Sequence, residues 1–318
     1  MIDDILPYGM FDQLRTAQEA ASAKKIEQLY HKGQDAIWDG RRSLDDAVAR
    51  HGGPSRLLRG LSPARARAVG RIYGGIMWGE LAAWKISAAL ALKLEPLEAK
   101  MAATAQAHDE ARHFYVLHDY LELLGQTPHA LGPKSQLLFA DILSTRSLAK
   151  MLLGMQLMVE PLALTIFQLT REAKIEPVLC DVLALYERDE ARHVALGTLF
   201  LPAIISKLGR RETASLAAWQ LREYFLQLGM LKERADDLRE LGIDPRKALA
   251  LARNKQLAAA RMLAGEMGHA LPLIDVFRRI IDFKAEIDVP SPGRTTLGHR
   301  LRRAVGAALR GEGELDPI

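Results

Sequence analysis

The chain has 318 residues, one cysteine, and 43 basic against 39 acidic residues, a formal net charge of +4. Apolar residues are 49% and charged residues 26%, which excludes an apolar-poor disordered chain; a single Cys180 excludes a disulfide scaffold and a cysteine-cluster metal site. An aromatic content of 6%, with Ala and Leu prominent, predicts a mostly helical protein. The cysteine usage fits a reducing, cytoplasmic setting. The start, MIDDILPYGMFDQ, lacks the basic and apolar regions of an export signal.

In chain order, helices are expected over 9–34 and 44–50, with His51-Gly52-Gly53-Pro54 as a turn. Ser62-Pro63 caps and opens a long helix to about Leu94. Glu95-Pro96 opens the next, which Gly125 stops after Leu124. A third long helix covers 136–172. Glu176-Pro177 opens a fourth to about Leu208, and further helices are expected over 210–240, 246–268 and 271–284. The tail from Val289 is punctuated by Pro and Gly and carries a basic stretch from Arg294 to Arg310, read as a surface helix and not as a nucleic-acid contact. Residues 151–170 have one charge, Glu160, in a length able to cross a bilayer; a helix buried inside a large bundle is the preferred reading. The organisation expected is an N-terminal segment 1–62, a four-helix unit 63–209, covering helices 210–288 and a tail 289–318.

The second and fourth long helices each carry one five-residue string. Asp109-Glu110-Ala111-Arg112-His113 recurs as Asp189-Glu190-Ala191-Arg192-His193, 80 residues later. Thirty residues before each of these glutamates stands another, Glu80 and Glu160. On a helix, positions i and i+3 share a face, so Glu110 points with His113 and Glu190 with His193. Those faces are otherwise apolar or small, with Ala103, Gln106, Leu117 and Leu121 on one helix and Leu183, Tyr186, Gly197 and Leu201 on the other. Glu80 lies among Ile76, Met77, Ala83 and Trp84, and Glu160 among Leu157, Leu164 and Phe167. Four carboxylates and two imidazoles therefore converge on one interior. Unpaired buried carboxylates are very costly, whereas two divalent cations balance four of them. Oxygen and imidazole ligands without sulfur suit two iron ions, with manganese as the alternative, better than zinc. A lone Glu-x-x-His is weak; two copies with matched lone glutamates are not.

These residues resemble the ferritin-like di-iron carboxylate superfamily, an all-α four-helix bundle with a glutamate from each of two helices and Glu-x-x-His from each of the other two. The resemblance covers about 63–208. The doubled Asp-Glu-x-Arg-His is most similar to hydroxylase subunits of bacterial multicomponent monooxygenases. It implies metal ligation by Glu80, Glu110, His113, Glu160, Glu190 and His193. It further implies that Asp109 orients His193, that Asp189 orients His113, and that Arg112 and Arg192 pair with those aspartates. Leu29-Tyr30 and Trp38-Asp39 weakly resemble the opening segment of such oxygenases. Several positions depart from individual branches. Leu117 stands where ribonucleotide reductase subunits have a radical tyrosine. Ala83 and Met155 stand where ligand-binding oxidases form a Val–Tyr crosslink. Tyr186 replaces the third histidine of arylamine oxygenases, and Leu164, next to Thr165, replaces the hydroxylases' threonine.

Other residues carry two readings each. Pro161 predicts a kink or π-bulge beside Glu160, either functional or tolerated. Tyr186 is a core tyrosine or a donor of a hydrogen bond or electron. Met151, Met155 and Met158, like Trp84, line a substrate pocket or pack the core. His108, His118 and His129 are expected at the surface, and Cys180 as an inert thiol. Arg210-Arg211 and Arg278-Arg279 are solvated faces or docking points for an acidic partner. The expected activity is O2-activating di-iron hydroxylation of a small, apolar or carrier-bound molecule, with ferroxidase or iron handling as the alternative. No nicotinamide or flavin motif is visible, so electrons are expected from a ferredoxin or reductase. An acidic carrier protein and a homodimer are further possible partners.

Overall fold

The computed structural model describes residues 17–95, 97–267, 271–289 and 296–309. No β-strand occurs among them. Among the described residues three helices precede the bundle: α1 (Ala17–Asp35), α2 (Gly40–Arg50) and α3 (Pro54–Gly60). The third follows directly on the turn expected at His51-Gly52-Gly53-Pro54. Gly53, at φ +83, turns the chain, and Pro54 then begins a helix at a position where its missing N–H costs nothing.

The four-helix core is built from two hairpins. In the first, α4 (Pro63–Lys93) and α5 (Leu97–Leu123) run antiparallel across a short link. The Ser62 side chain accepts from the Arg65 N–H at 3.2 Å and starts α4. Gly125, at φ +69, ends α5, where the Gln126 N–H closes on the Leu121 carbonyl at 2.8 Å.

The third long helix is interrupted twice, unexpectedly at 145–147 and, as Pro161 predicts, by a π turn beside Glu160. It comprises α6 (Pro133–Ser144), α7 (Leu148–Gly154), a π-helical turn (Met155–Val159) and α8 (Glu160–Glu172). The first break falls at Thr145-Arg146-Ser147. There the Thr145 hydroxyl takes the Ser147 N–H, and Ser147 caps α7 through the Lys150 N–H. Short hydroxyl side chains compete with the helix for backbone partners. The second irregularity is set by Pro161, which has no N–H for the ladder; the Glu160 N–H reaches back to Met155 instead. The resulting π turn places Glu160 at the head of α8.

The second hairpin closes with α9 (Pro177–Ile205), capped by the buried Glu176, whose carboxylate accepts from the Val178 and Leu179 N–H groups and from the Tyr120 hydroxyl. Gly197 lets α9 lie against the π turn: a Cβ at this position would stand 2.5 Å from Gln156 Cβ.

Four more helices follow: α10 (Arg210–Glu240), α11 (Pro245–Met267), α12 (Leu271–Asp288) and α13 (Leu297–Leu309). Helix α10 packs on α4 and α6 and covers one side of the bundle. The basic stretch of the tail thus includes a helix. The segment Leu148–Glu172 is long and apolar enough to cross a membrane, and 67% of its most apolar window is buried inside the protein.

Candidate metal centre

The bundle interior brings the six expected side chains together. Glu80 comes from α4, Glu110 and His113 from α5, Glu160 from α8, and Glu190 and His193 from α9; none is more than 5% exposed. Their ligand atoms form two overlapping groups, each fitting within 4.8 Å. One is Glu80, Glu110, His113 and Glu190; the other is Glu110, Glu160, Glu190 and His193. Glu110 and Glu190 belong to both. A pair of cations held here would share these two carboxylates, with Glu80 and His113 at one end and Glu160 and His193 at the other.

The imidazoles are oriented alike. His113 Nδ1 lies 3.1 Å from Glu190 and 3.4 Å from Glu80. His193 Nδ1 lies 2.7 Å from Glu190 and 3.0 Å from Glu110. The opposite nitrogens face the aspartates across the bundle: His113 Nε2 is 3.2 Å from Asp189, and His193 Nε2 is 3.3 Å from Asp109. With the proton on Nε2, each ring donates to an aspartate and presents the Nδ1 lone pair to the glutamates. Arg112 bridges Asp109 and Asp189 at 2.5 and 2.9 Å, and Arg192 bridges the same pair at 3.1 and 2.8 Å. Two arginines and two aspartates thus form a neutral quartet behind the histidines.

The donor set fits two cations. Glu110 Oε2, Glu190 Oε1 and His113 Nδ1 are fully buried and make no well-formed hydrogen bond, only close charge contacts with one another: His113 Nδ1 is 3.1 Å from Glu190 Oε1 and 3.6 Å from Glu110 Oε2. Buried polar atoms without a partner are rare and costly. The ionisation behaviour points the same way. Burial pushes the Glu80 and Glu160 carboxyls well above the usual range, and nearby Glu190 adds to the rise. Burial opposes charge on Glu110 too, but the His193 and His113 rings hold it below normal. Both imidazoles are raised well above theirs, because their carboxylate partners outweigh burial. Divalent cations bound here would displace the protons that these raised groups hold.

Three further residues join the site: Trp38, noted in the sequence only by its resemblance, and Gln106 and Gln156, to which no role was assigned from the sequence. Trp38 Nε1 donates to Asp189 at 2.7 Å, and the Arg112 guanidinium lies 4.6 Å from its ring centre. Gln106 donates to Glu110 at 3.1 Å and to Glu160 at 3.3 Å, and Gln156, from the π turn, donates to Gln106 at 3.3 Å. Gln106 was detectable, one turn before Glu110 on the same face. Trp38 and Gln156 depend on tertiary placement. Tyr186 stacks on His113 with centroids 4.0 Å apart and donates to that residue's own carbonyl at 2.5 Å.

Other expectations divide. Met151, Met155 and Met158 are buried in the core and lie outside the lining of the cavity beside the site. Trp84 is 42% exposed, because it points off the bundle on the solvent side of α4. Thr165 turns its hydroxyl to the Pro161 carbonyl. Arg278 is buried and paired with Asp282 inside the protein, so it is no surface docking point, whereas Arg210 and Arg211 are exposed. His118 is half exposed beside Asp119.

A cavity of about 130 Å3 lies between α4, α6, α8 and α10. Its walls are mostly apolar, including Ile72, Phe139, Ile166 and Leu231, and it reaches Glu80 and Glu160.

No family model and no curated protein matches the chain. Solved structures do. A Synechococcus protein with aldehyde deformylating oxidase activity superposes with a TM-score of 0.56 at 22% identity, over 67% of this chain and 97% of its own. Dimanganese(II)-NrdF of Streptococcus sanguinis gives 0.59 at 14% identity, over 76% and 88%. A variant of an R2-like ligand-binding oxidase with a reconstituted Mn/Fe cofactor gives 0.52 at 17%, over 76% and 92%. The fold is ferritin-like. Within that fold, this chain's buried Glu/His cluster could hold two metal ions.

Proposed function

We propose that this protein is a di-iron oxidoreductase that uses O2 to oxidise a small, largely apolar organic molecule, in the manner of a hydroxylase. The observation that carries this reading is the six-residue buried ligand set opening onto an apolar cavity at Glu80 and Glu160. The di-metal and oxidase neighbours of the same fold support it. Manganese at one or both positions is compatible with the same ligands.

When bound, the metal pair would supply reducing equivalents to O2 and the oxidising power for the substrate. The rest is the work of the chain. Asp109 and Asp189 hold the Nε2 protons and fix both histidine tautomers. Arg112 and Arg192 neutralise those aspartates. Gln106 steadies Glu110 and Glu160. The π turn leaves Glu160 at a helix head, where its backbone is less tightly laddered than that of the other ligands. The apolar walls exclude water from the reacting molecule. Hydroxylation puts one oxygen atom into a C–H bond and releases the other as water, consuming two electrons and two protons. No flavin or nicotinamide motif is visible in the sequence, so a ferredoxin or flavoprotein reductase is assigned as donor, with the exposed Arg210-Arg211 as a basic contact for it. In this reading residues 63–209 carry the metals and 210–288 shape substrate access.

The test is iron content and O2 uptake. Two iron ions per chain, with O2 consumed by the reduced protein and lost when His113 or Glu190 is replaced by Ala, support the reading. Continuous oxidation of added Fe(II), with iron retained as mineral far beyond two per chain, would point to iron handling instead.

A further inference from the structure

The cavity beside the ligand cluster has two chemically different ends. Helix α10 lines it with Gln227, Met230, Leu231, Arg234 and Leu238, one face of the helix. Across from it, α4 contributes residues from Ile72 to Glu80. The two helices run antiparallel here, because Arg71 near the start of α4 pairs with Asp237 near the end of α10. Glu80 and Gln227 therefore share one end, and Ile72 and Arg234 the other. The seven residue steps from Gln227 to Arg234 rise about 10 Å along the helix. Between the ends the wall is apolar, through Ile76, Phe139, Ile166 and Leu231.

Among the described residues Arg234 is the one cationic side chain of this lining, and a quarter of its side chain is exposed. Its nearest carboxylate, Asp237, is 3.6 Å away and is already held by two hydrogen bonds from Arg71 Nε, at 2.8 and 3.0 Å. The neighbouring Glu233 is turned away, accepting from the Lys134 N–H at 3.3 Å. Two guanidinium groups thus share one aspartate, leaving one positive charge in excess at the outer end. A planar guanidinium matches a carboxylate. The single excess charge suits a monoanion better than a phosphate.

We propose that the substrate is a short- to medium-chain carboxylic acid, anchored by its carboxylate on Arg234 with its apolar end against Glu80 and Glu160. That the far end meets a di-metal centre rests on the function proposed above; the anchor itself does not. A cavity of about 130 Å3 is close to the roughly 150 Å3 that accepts a benzene-sized guest, so the chain has roughly six to eight non-hydrogen atoms. This makes Arg234 a specificity-determining residue and places the oxidised carbon remote from the acid group.

The probes are hexanoate and 1-hexanol, titrated calorimetrically into metal-free and metal-loaded protein. Hexanoate is expected to bind both forms, with the alcohol at least about tenfold weaker, roughly the weight of one charge-assisted hydrogen bond. R234Q should weaken hexanoate about tenfold or more and leave 1-hexanol unchanged, and R234K should restore part of the loss. Ala163 lines the cavity one turn from Glu160, and Ala163→Phe, which fills that end, should abolish binding of both with Arg234 intact. Equal affinity for acid and alcohol, or an R234Q protein that binds hexanoate normally, overturns the proposal. So does hexanoate binding that requires loaded metals and ignores Arg234, since the carboxylate would then sit on the metals. Failure to load iron or consume O2 would remove the oxidase reading, while hexanoate binding to the metal-free protein would still decide the anchor.

Discussion

Loading the centre should be a proton-release reaction, and the structure sets its size. In the metal-free fold, the two imidazoles are raised well above their ordinary value and the Glu80 and Glu160 carboxyls are raised with them. Glu110 and Glu190 are lowered and stay ionised. With both rings protonated, their two positive charges balance Glu110 and Glu190, and the interior is neutral. With two divalent cations, four ionised glutamates and neutral rings, it is neutral again. The exchange is two cations for as many as four protons. Each proton released steepens metal affinity by about a factor of ten per pH unit. The product of the two binding constants should therefore rise about a hundredfold per pH unit if only the imidazoles release protons, and up to about ten-thousandfold if the two glutamates do so as well. The sign is fixed: groups with raised pKa hold their protons at low pH, so acid opposes loading and alkali favours it. Calorimetric titration of Mn(II) or anaerobic Fe(II), in buffers of different ionisation enthalpy between pH 6 and 8, counts the protons directly. Fewer than two per pair of metals, or affinity independent of pH, would refute the assignment of these side chains as one neutralised set.

Further outcomes follow from the surrounding shell. Asp189→Asn and Asp109→Asn each replace the carboxylate that holds a ring's Nε2 proton with a neutral, weaker acceptor, and should lower metal affinity about 10- to 100-fold, measured by competition with a chelator, while the helical circular dichroism is kept. Gly197→Ala presses a methyl group on Gln156 and should destabilise the protein by about 1–3 kcal/mol in urea unfolding. Glu223, fully buried with both oxygens unbonded, is pushed up to about 8 by burial and by the Asp141 carboxylate. Its raised value means stability is lost as pH climbs from the ordinary carboxylate range towards 8. Glu223→Gln should therefore be more stable than the parent by on the order of 2 kcal/mol at pH 8, and equal to it near pH 4; a constant difference across that range would contradict this account.

How much of this was legible in the sequence depended on whether the signal was local. The ligands were readable because Glu-x-x-His places two donors on one helix face and the 80-residue repeat supplies both faces. The helix starts at Ser62 and Glu176 were readable from their caps. The break at Thr145-Arg146-Ser147 was missed, because three polar residues inside an otherwise apolar run look tolerable until their hydroxyl groups are seen competing for the backbone. The Pro54 helix was missed because the same Gly-Gly-Pro that makes a turn can also launch a helix. Trp38 reaches Asp189 across 151 positions, and Arg234 faces the cavity from a helix outside the repeat. Neither distance has a sequence pattern. Arg278 failed for the opposite reason: Arg278-Arg279 reads as a surface cluster, and only tertiary packing shows Asp282 taking one of the pair inside.

The ligand set by itself is nearly symmetric, and a symmetric pair of cations has no substrate side. The helices added around the repeat break that symmetry. On the face where the two lone glutamates lie, α10 lies over the bundle and lines a cavity from Gln227 to Leu238. On the histidine face, the Asp–Arg quartet closes the interior. Trp38 caps that quartet only on the His113 side, while the equivalent position by His193 is lined by Leu29, Tyr30 and Gly33 around a space of about 20 Å3. The two metal positions are thus made unequal in protein surroundings, although their donors match. In the proposed function, chemistry takes place where Glu80 and Glu160 meet the cavity, and the buried Trp38–Asp189–His113 hydrogen-bond chain serves the other face. A chain with the same doubled motif but a different α10 would keep the metals and change the substrate. In that proposal the specificity lies with residues 227–238, outside the repeat that made the centre recognisable.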